Sequence, residues 1–130
     1  LHDGRWVLCD RFTDASFAYQ GAGRRMGEGP VSMLEEMVQG ELRPDVTVLM
    51  DVPVDVGMAR ARGRGALDRF EREDLDFFGR VRQCYLQRAA RGGGRYQLID
   101  AAQPLEDVHR ALQSVVQDLV ACPSLLEDDA

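Results

Sequence analysis

Residues 40–53 read GELRPDVTVLMDVP, and the class of fold turns on their middle. Val46-Thr-Val-Leu-Met-Asp51 is short, apolar and rich in β formers, and it stops at Val52-Pro53. An unbroken apolar run of this length reads as a strand buried on both faces, the kind used by parallel sheets. Before it, Pro30 to Val38 carries Leu34, Met37 and Val38 on one helical face, with Gly40 as its C-terminal cap. A second helical pattern starts after Pro53 and runs from Val54 to about Arg62.

The same alternation extends in both directions. Arg5-Trp-Val-Leu-Cys9 and Tyr96-Gln-Leu-Ile-Asp100 read as further strands. A long helix is expected over 68–91, with Phe78, Val81, Tyr85 and Ala89 inward, ending at Gly92-Gly-Gly94. Another is expected from Leu105 to about Val120, with Val108, Leu112, Val115 and Leu119 at helical spacing. The order β-loop-α-β-α-α-β-α implies an α/β fold around a parallel sheet. Asp10, Asp51 and Asp100 stand at or just after the strand ends, where open α/β sheets place their ligand crevice. For any one of them, a turn or cap role is the simpler reading.

Composition narrows the function classes. The chain has 130 residues, 45% hydrophobic, enough for one domain. Its apolar runs stay short of the roughly 20 residues a membrane span needs. No signal peptide is visible, and Leu1 in place of Met reads as the interior of a longer reading frame. The net charge of −6 argues against general nucleic-acid binding. Cys9, Cys84 and Cys122 form no metal or disulfide pattern, so a cytoplasmic setting is expected. Every basic side chain is arginine, crowded between Arg60 and Arg95, and there is no lysine.

Three clusters carry possible chemistry. Gly21, Gly23, Gly27 and Gly29 do not make a phosphate loop, which needs G-x-x-x-x-G-K-[ST] between strand and helix. A-R-A-R-G-R-G-A-L-D-R, residues 59–69, places Arg60, Arg62 and Arg64 before any local acid partner. A solvated face is the plainer reading, and an RNA-binding tract is a second one that the acidic remainder of the chain speaks against. A glycine-hinged cationic lid over phosphates fits the spacing as well. Asp10-Arg11, finally, is followed by Ser16, Tyr19 and Gln20, which a helical turn over 13–20 would bring to one cleft. A hydroxyl, a ring and an amide suit the reading of a planar base.

These blocks, VLCDRFTDASFAYQG, GELRPDVTVLMDVP and ARARGRGALDRFE, resemble the thymidylate kinases among the P-loop nucleoside-monophosphate kinases. The resemblance runs from Gly4 to about Leu119, and the arginine-bearing lid is similar to that of the bacterial subclass. It implies a three-layer α/β/α fold and transfer of the γ-phosphoryl of ATP to dTMP, with Mg²⁺. By the same resemblance, Asp10 would stand near Mg²⁺ and Arg11 would hold the dTMP phosphate. Ser16 and Gln20 would bond the thymine edge, and Tyr19 would pack by the sugar. Arg60, Arg62, Arg64 and Arg69 would serve the ATP phosphates, with Arg64 stabilising the transferring group. Asp68, Phe70 and Glu71 would edge the monophosphate pocket, and Ala101, Ala102, Gln103 and Pro104 would form the adenine loop. Ala15 stands where many members carry serine or threonine.

The family's phosphate loop and its strands 1 and 2 have no counterpart in this sequence. The expected sheet order is 2-3-1-4-5, so strand 1 would lie between the runs at 5–9 and 46–51. The reading is therefore a C-terminal part of one kinase domain over 1–120, with a lid at about 60–71 and an acidic, disordered tail over 121–130. Alone it is expected to be inactive; complete, it is expected to be a homodimer. A deoxynucleoside kinase relative and a non-catalytic nucleotide-binding or dimerisation module are the alternatives.

Overall fold

The computed structural model describes residues 3–63 and 72–121. In chain order they form α1 (Thr13–Ser16), a π-helical segment (Phe17–Gly23), α2 (Glu28–Gln39), β1 (Thr47–Asp51), α3 (Val54–Gly63), α4 (Arg72–Arg91), a 3₁₀ turn (Gly93–Arg95), β2 (Tyr96–Asp100) and α5 (Leu105–Ala121). β1 and β2 pair in parallel, with Thr47 opposite Tyr96 and Asp51 opposite Asp100. Parallel neighbours need a long crossover, which α3 and α4 supply. The α/β class and its parallel sheet follow the pattern of the sequence. The expected acidic tail from Cys122 onward lies outside the described residues.

α2 ends where Gly40 takes φ +58°, and its N–H bonds the carbonyl of Glu36 at 3.2 Å. That left-handed turn suits a residue without Cβ. The tightest core joins the π segment to α4: Phe17, Ala18, Val31, Val81 and Cys84 are buried together, with Tyr19, Phe77 and Tyr85 packed against them. Gly23 permits this approach, since a Cβ there would lie 2.6 Å from the Phe77 ring. α4 thus presents Val81 as expected, but Cys84 rather than Ala89 completes its buried stripe.

Two expectations change. The expected strand at 5–9 forms no ladder, and its side chains are exposed, Leu8 fully so. A strand exists only through a neighbour that satisfies its N–H and C=O groups. Here a cavity of about 890 Å³ separates this segment from the free edge of β1, with Val7 and Leu8 on one side and Val48 and Met50 on the other. The second change concerns α2, whose apolar face is present but turned outward. Only Val31 is buried, while Leu34, Met37 and Val38 face solvent.

Candidate active site

Asp10 and Arg11 occupy a bend that leads into α1. Arg11 has φ +62°, a left-handed conformation that costs a non-glycine residue about 1–2 kcal/mol. Its guanidinium carbon stands 5.2 Å from the centre of the Tyr19 ring. Asp10, Arg11 and Tyr19 all line the large cavity beside β1. Asp10 is exposed there. The arrangement puts a carboxylate, a forked cation and an aromatic face along one wall.

The π segment alters what spacing alone predicts. Its hydrogen bonds run from i to i+5, so each turn holds more residues than an α-helix does. An α-helical turn would bring Ser16, Tyr19 and Gln20 to one cleft. Here Tyr19 lines the cavity, whereas Ser16 is exposed and Gln20 half-buried, and neither lines it. Arg80 on α4 donates to the carbonyls of Ala22 at 3.3 Å and Gly23 at 2.9 Å, satisfying acceptors at the segment's end.

Two further α4 arginines reach the site from below. Arg82 makes a two-pronged pair with Asp51, Nε to Oδ1 at 2.7 Å and Nη2 to Oδ2 at 2.8 Å. That bond holds the Asp51 carboxyl below its usual pKa despite partial burial. Arg88 donates to Asp14 at 2.6 Å and lies 3.8 Å from the centre of the Phe17 ring. Burial disfavours the Arg88 charge, but the bond and field of Asp14 with the other nearby charges outweigh it, leaving its pKa raised. Tyr85 is pushed up to about 12, chiefly by burial, so it stays a neutral phenol.

On the other side of the sheet's end, Arg60 is anchored rather than loose. Its Nη1 donates to the carbonyl of Ala101 at 2.5 Å and its Nη2 to that of Ala102 at 2.7 Å. The turn is also held by Asp100, which accepts from the Ala102 N–H at 2.8 Å and from Gln103 at 3.3 Å. For Asp100, then, the plain turn role applies, and Pro104 leads on into α5. The structure joins one expected lid arginine to the expected adenine loop. Arg62 lies in the last turn of α3. Arg64, Asp68, Arg69, Phe70 and Glu71 lie outside the described residues.

Among the described residues no three His, Cys, Asp or Glu side chains converge on a metal-sized site.

Sequence reading did not single out Asp14, Arg82 or Arg88. A signal was present: Phe77, Val81, Cys84 and Arg88 fall at i, i+4, i+7 and i+11, which places an arginine on an apolar stripe. A cation there needs a buried anion. Which anion could not be read, because Asp14 lies 74 positions away.

The sequence profile described as thymidylate kinase matches residues 1–112. A thymidylate kinase of Alcanivorax borkumensis is 55% identical over 123 residues, covering 95% of this chain and 59% of its own length. One from Pseudomonas putida is 57% identical over 120 residues, covering 92% of this chain and 58% of its own. The chain thus spans rather less than two thirds of the length of the curated relatives it matches. With the profile covering most of the chain and the site built from the same blocks, the chain belongs to the thymidylate kinase family.

Proposed function

We propose that the complete protein is a dTMP kinase, which transfers the γ-phosphoryl of ATP to dTMP and yields dTDP for dTTP synthesis. The observation that carries this reading is the shared wall of Asp10, Arg11 and Tyr19 in a chain of this family. An oxygen of the dTMP phosphate attacks the γ-phosphorus in line, the bond to the β-phosphate oxygen breaks, and ADP leaves. Arg11 holds the acceptor phosphate by its fork, and Tyr19 packs beside the deoxyribose where a 2′-hydroxyl is disfavoured. Ser16 and Gln20 serve the thymine edge, and Asp68, Phe70 and Glu71 edge its pocket. Arg62, Arg64 and Arg69 serve the ATP phosphates, with Arg64 on the transferring group. Arg60 holds the adenine loop 101–104 by its carbonyls. A Mg²⁺ ion carried by ATP would be served by the exposed Asp10 carboxylate and would supply charge neutralisation. Catalysis of this kind rests on positioning and electrostatics.

Residues 1–120 are, on this reading, part of one kinase domain with a lid at about 60–71, and the complete enzyme is a cytoplasmic homodimer. The cavity between 7–12 and β1 is the seat of a strand supplied by the remainder of the protein. Two observations support this: β1 has a free edge, and the buried Thr47 hydroxyl beside the cavity has no partner among the described residues. The sequence holds no G-x-x-x-x-G-K-[ST] stretch to cradle the β- and γ-phosphates, so on this reading the chain alone does not catalyse. No described helix is long and apolar enough to cross a membrane.

Calorimetry and steady-state kinetics on the complete protein test the reading. dTMP is expected to be preferred over dUMP and over ribonucleotides, with Gln20→Ala removing most base selectivity. Turnover of deoxythymidine in place of dTMP would instead favour a deoxynucleoside kinase, and binding without turnover a non-catalytic module.

A further inference from the structure

We propose that Asp14 is the positioning residue of the monophosphate site, acting through Arg88, Tyr96 and Arg95 on the element that carries Arg11 and Tyr19; this rests on the dTMP kinase reading. Asp14 is 6% exposed, the one charged residue buried among those described. Its Oδ1 accepts from Arg88 Nε at 2.6 Å and from the Tyr96 hydroxyl at 2.7 Å. Arg95 Nη2 lies 3.7 Å from Oδ2 and donates to the Tyr96 oxygen at 2.6 Å. One carboxylate therefore binds α1 to α4, to the 3₁₀ turn and to β2.

α1 runs straight on into the π segment, a continuous helix over residues 13–23 that is still too short to hold a position by its own hydrogen bonds. Something outside must fix its tilt. Apolar packing at Phe17 and Ala18 supplies burial but tolerates small rotations, whereas charge-assisted bonds to a buried carboxylate demand one geometry. Arg88 contributes twice, since it bonds Asp14 and covers the Phe17 ring one helical turn later. Asp14 stands three residues after Arg11 and five before Tyr19, so its anchorage sets where both point into the cavity. A slip of this anchorage moves the phosphate and sugar contacts together and leaves the Arg60 side of the site untouched. Groups that orient a contacting residue typically matter by about 10–100-fold when removed.

The test is Asp14→Asn in the complete protein, assayed with dTMP and ATP. The variant keeps the shape and loses the charge. KM and calorimetric Kd for dTMP are expected to rise about 10–100-fold, while KM for ATP stays within about twofold and kcat falls less than binding does. Tyr96→Phe is the second variant, since it keeps the ion pair and removes one bond; a smaller rise in the same dTMP constants is expected. Should Asp14→Asn fail to fold, Tyr96→Phe and Arg88→Lys carry the comparison. A lowered Tm with unchanged dTMP constants, or equal losses for dTMP and ATP, overturns the assignment and reduces the cluster to a structural fastener. A wild-type protein that does not phosphorylate dTMP overturns the functional reading, and is told apart by the unmodified enzyme alone.

Discussion

The two sides of the large cavity are built in opposite ways. Along α4, Val81 and Cys84 are buried against Phe17, and Arg80, Arg82 and Arg88 each close on an acceptor, with Val81 and Arg82 lining the cavity. Along residues 5–9 the side chains are as apolar, with Trp6, Val7 and Leu8 in sequence, yet all three are exposed and the backbone has no ladder. Composition does not separate the two; the presence of a partner does. A helix satisfies its backbone within itself and needs only one covered face, whereas a strand needs a neighbour for every second peptide group. α4 is therefore covered within the described residues, whereas the 5–9 segment has no strand neighbour among them.

The largest effect is expected at Arg64, the arginine proposed for the transferring phosphoryl group, which lies outside the described residues. Arg64→Ala in the complete enzyme is expected to lower kcat by about 10³-fold with dTMP affinity little changed, as for other arginines that meet a transferring phosphoryl group. Single-turnover kinetics with a parallel dTMP titration decide it; equal losses would make Arg64 a binding residue only.

A matched pair of truncations probes the contrast directly. Val81→Ala removes a buried side chain, 5% exposed, and should cost about 2–3 kcal/mol in denaturant melts of the complete protein. Leu8→Ala removes one that is 100% exposed here, which by itself predicts a change within about 0.5 kcal/mol. If a strand from the remaining protein fills the cavity, the complete protein should instead lose about 2–4 kcal/mol at Leu8. A neutral Leu8→Ala in the complete protein would remove the proposed strand from that place.

The smallest effect is electrostatic. Asp51 is held below the 3.8 of a free carboxyl, first by its bond to Arg82. A depressed carboxyl stabilises the fold above its unfolded pKa, and that contribution is lost as pH falls through the folded value. Asp51→Asn should therefore flatten the acid limb of a stability-versus-pH curve below about pH 4 and leave its slope near neutrality unchanged. The pair is partly exposed, so the change should be modest.

Much of the fold was legible because its signals are local. Gly40 marked the end of α2, Pro53 the start of α3, and the runs at 46–51 and 96–100 became β1 and β2 with ends shifted by one residue or none. The D-R-F block was read as a site because an acid, a fork, a ring and an amide were close in sequence, and the structure brings Asp10, Arg11 and Tyr19 to one cavity but not Ser16 or Gln20. The π turn was not legible, since the choice between i+4 and i+5 bonding depends on packing against Phe77 and on Arg80 at the segment's end. Asp14 was not singled out, because its partners lie on α4 and around β2.

The sequence by itself determined the α/β order and the aspartates Asp51 and Asp100 at the ends of β1 and β2, because periodicity and spacing are properties of neighbours along the chain. The tertiary structure alone decided that Arg60 grips the 101–104 turn, that Arg88 is matched to Asp14, and that 5–9 does not pair. Each of these depends on a contact across dozens of residues or on a neighbour that is or is not there. Burial makes such choices sharp, since a charge or a peptide group removed from water must find its partner wherever the fold has put one.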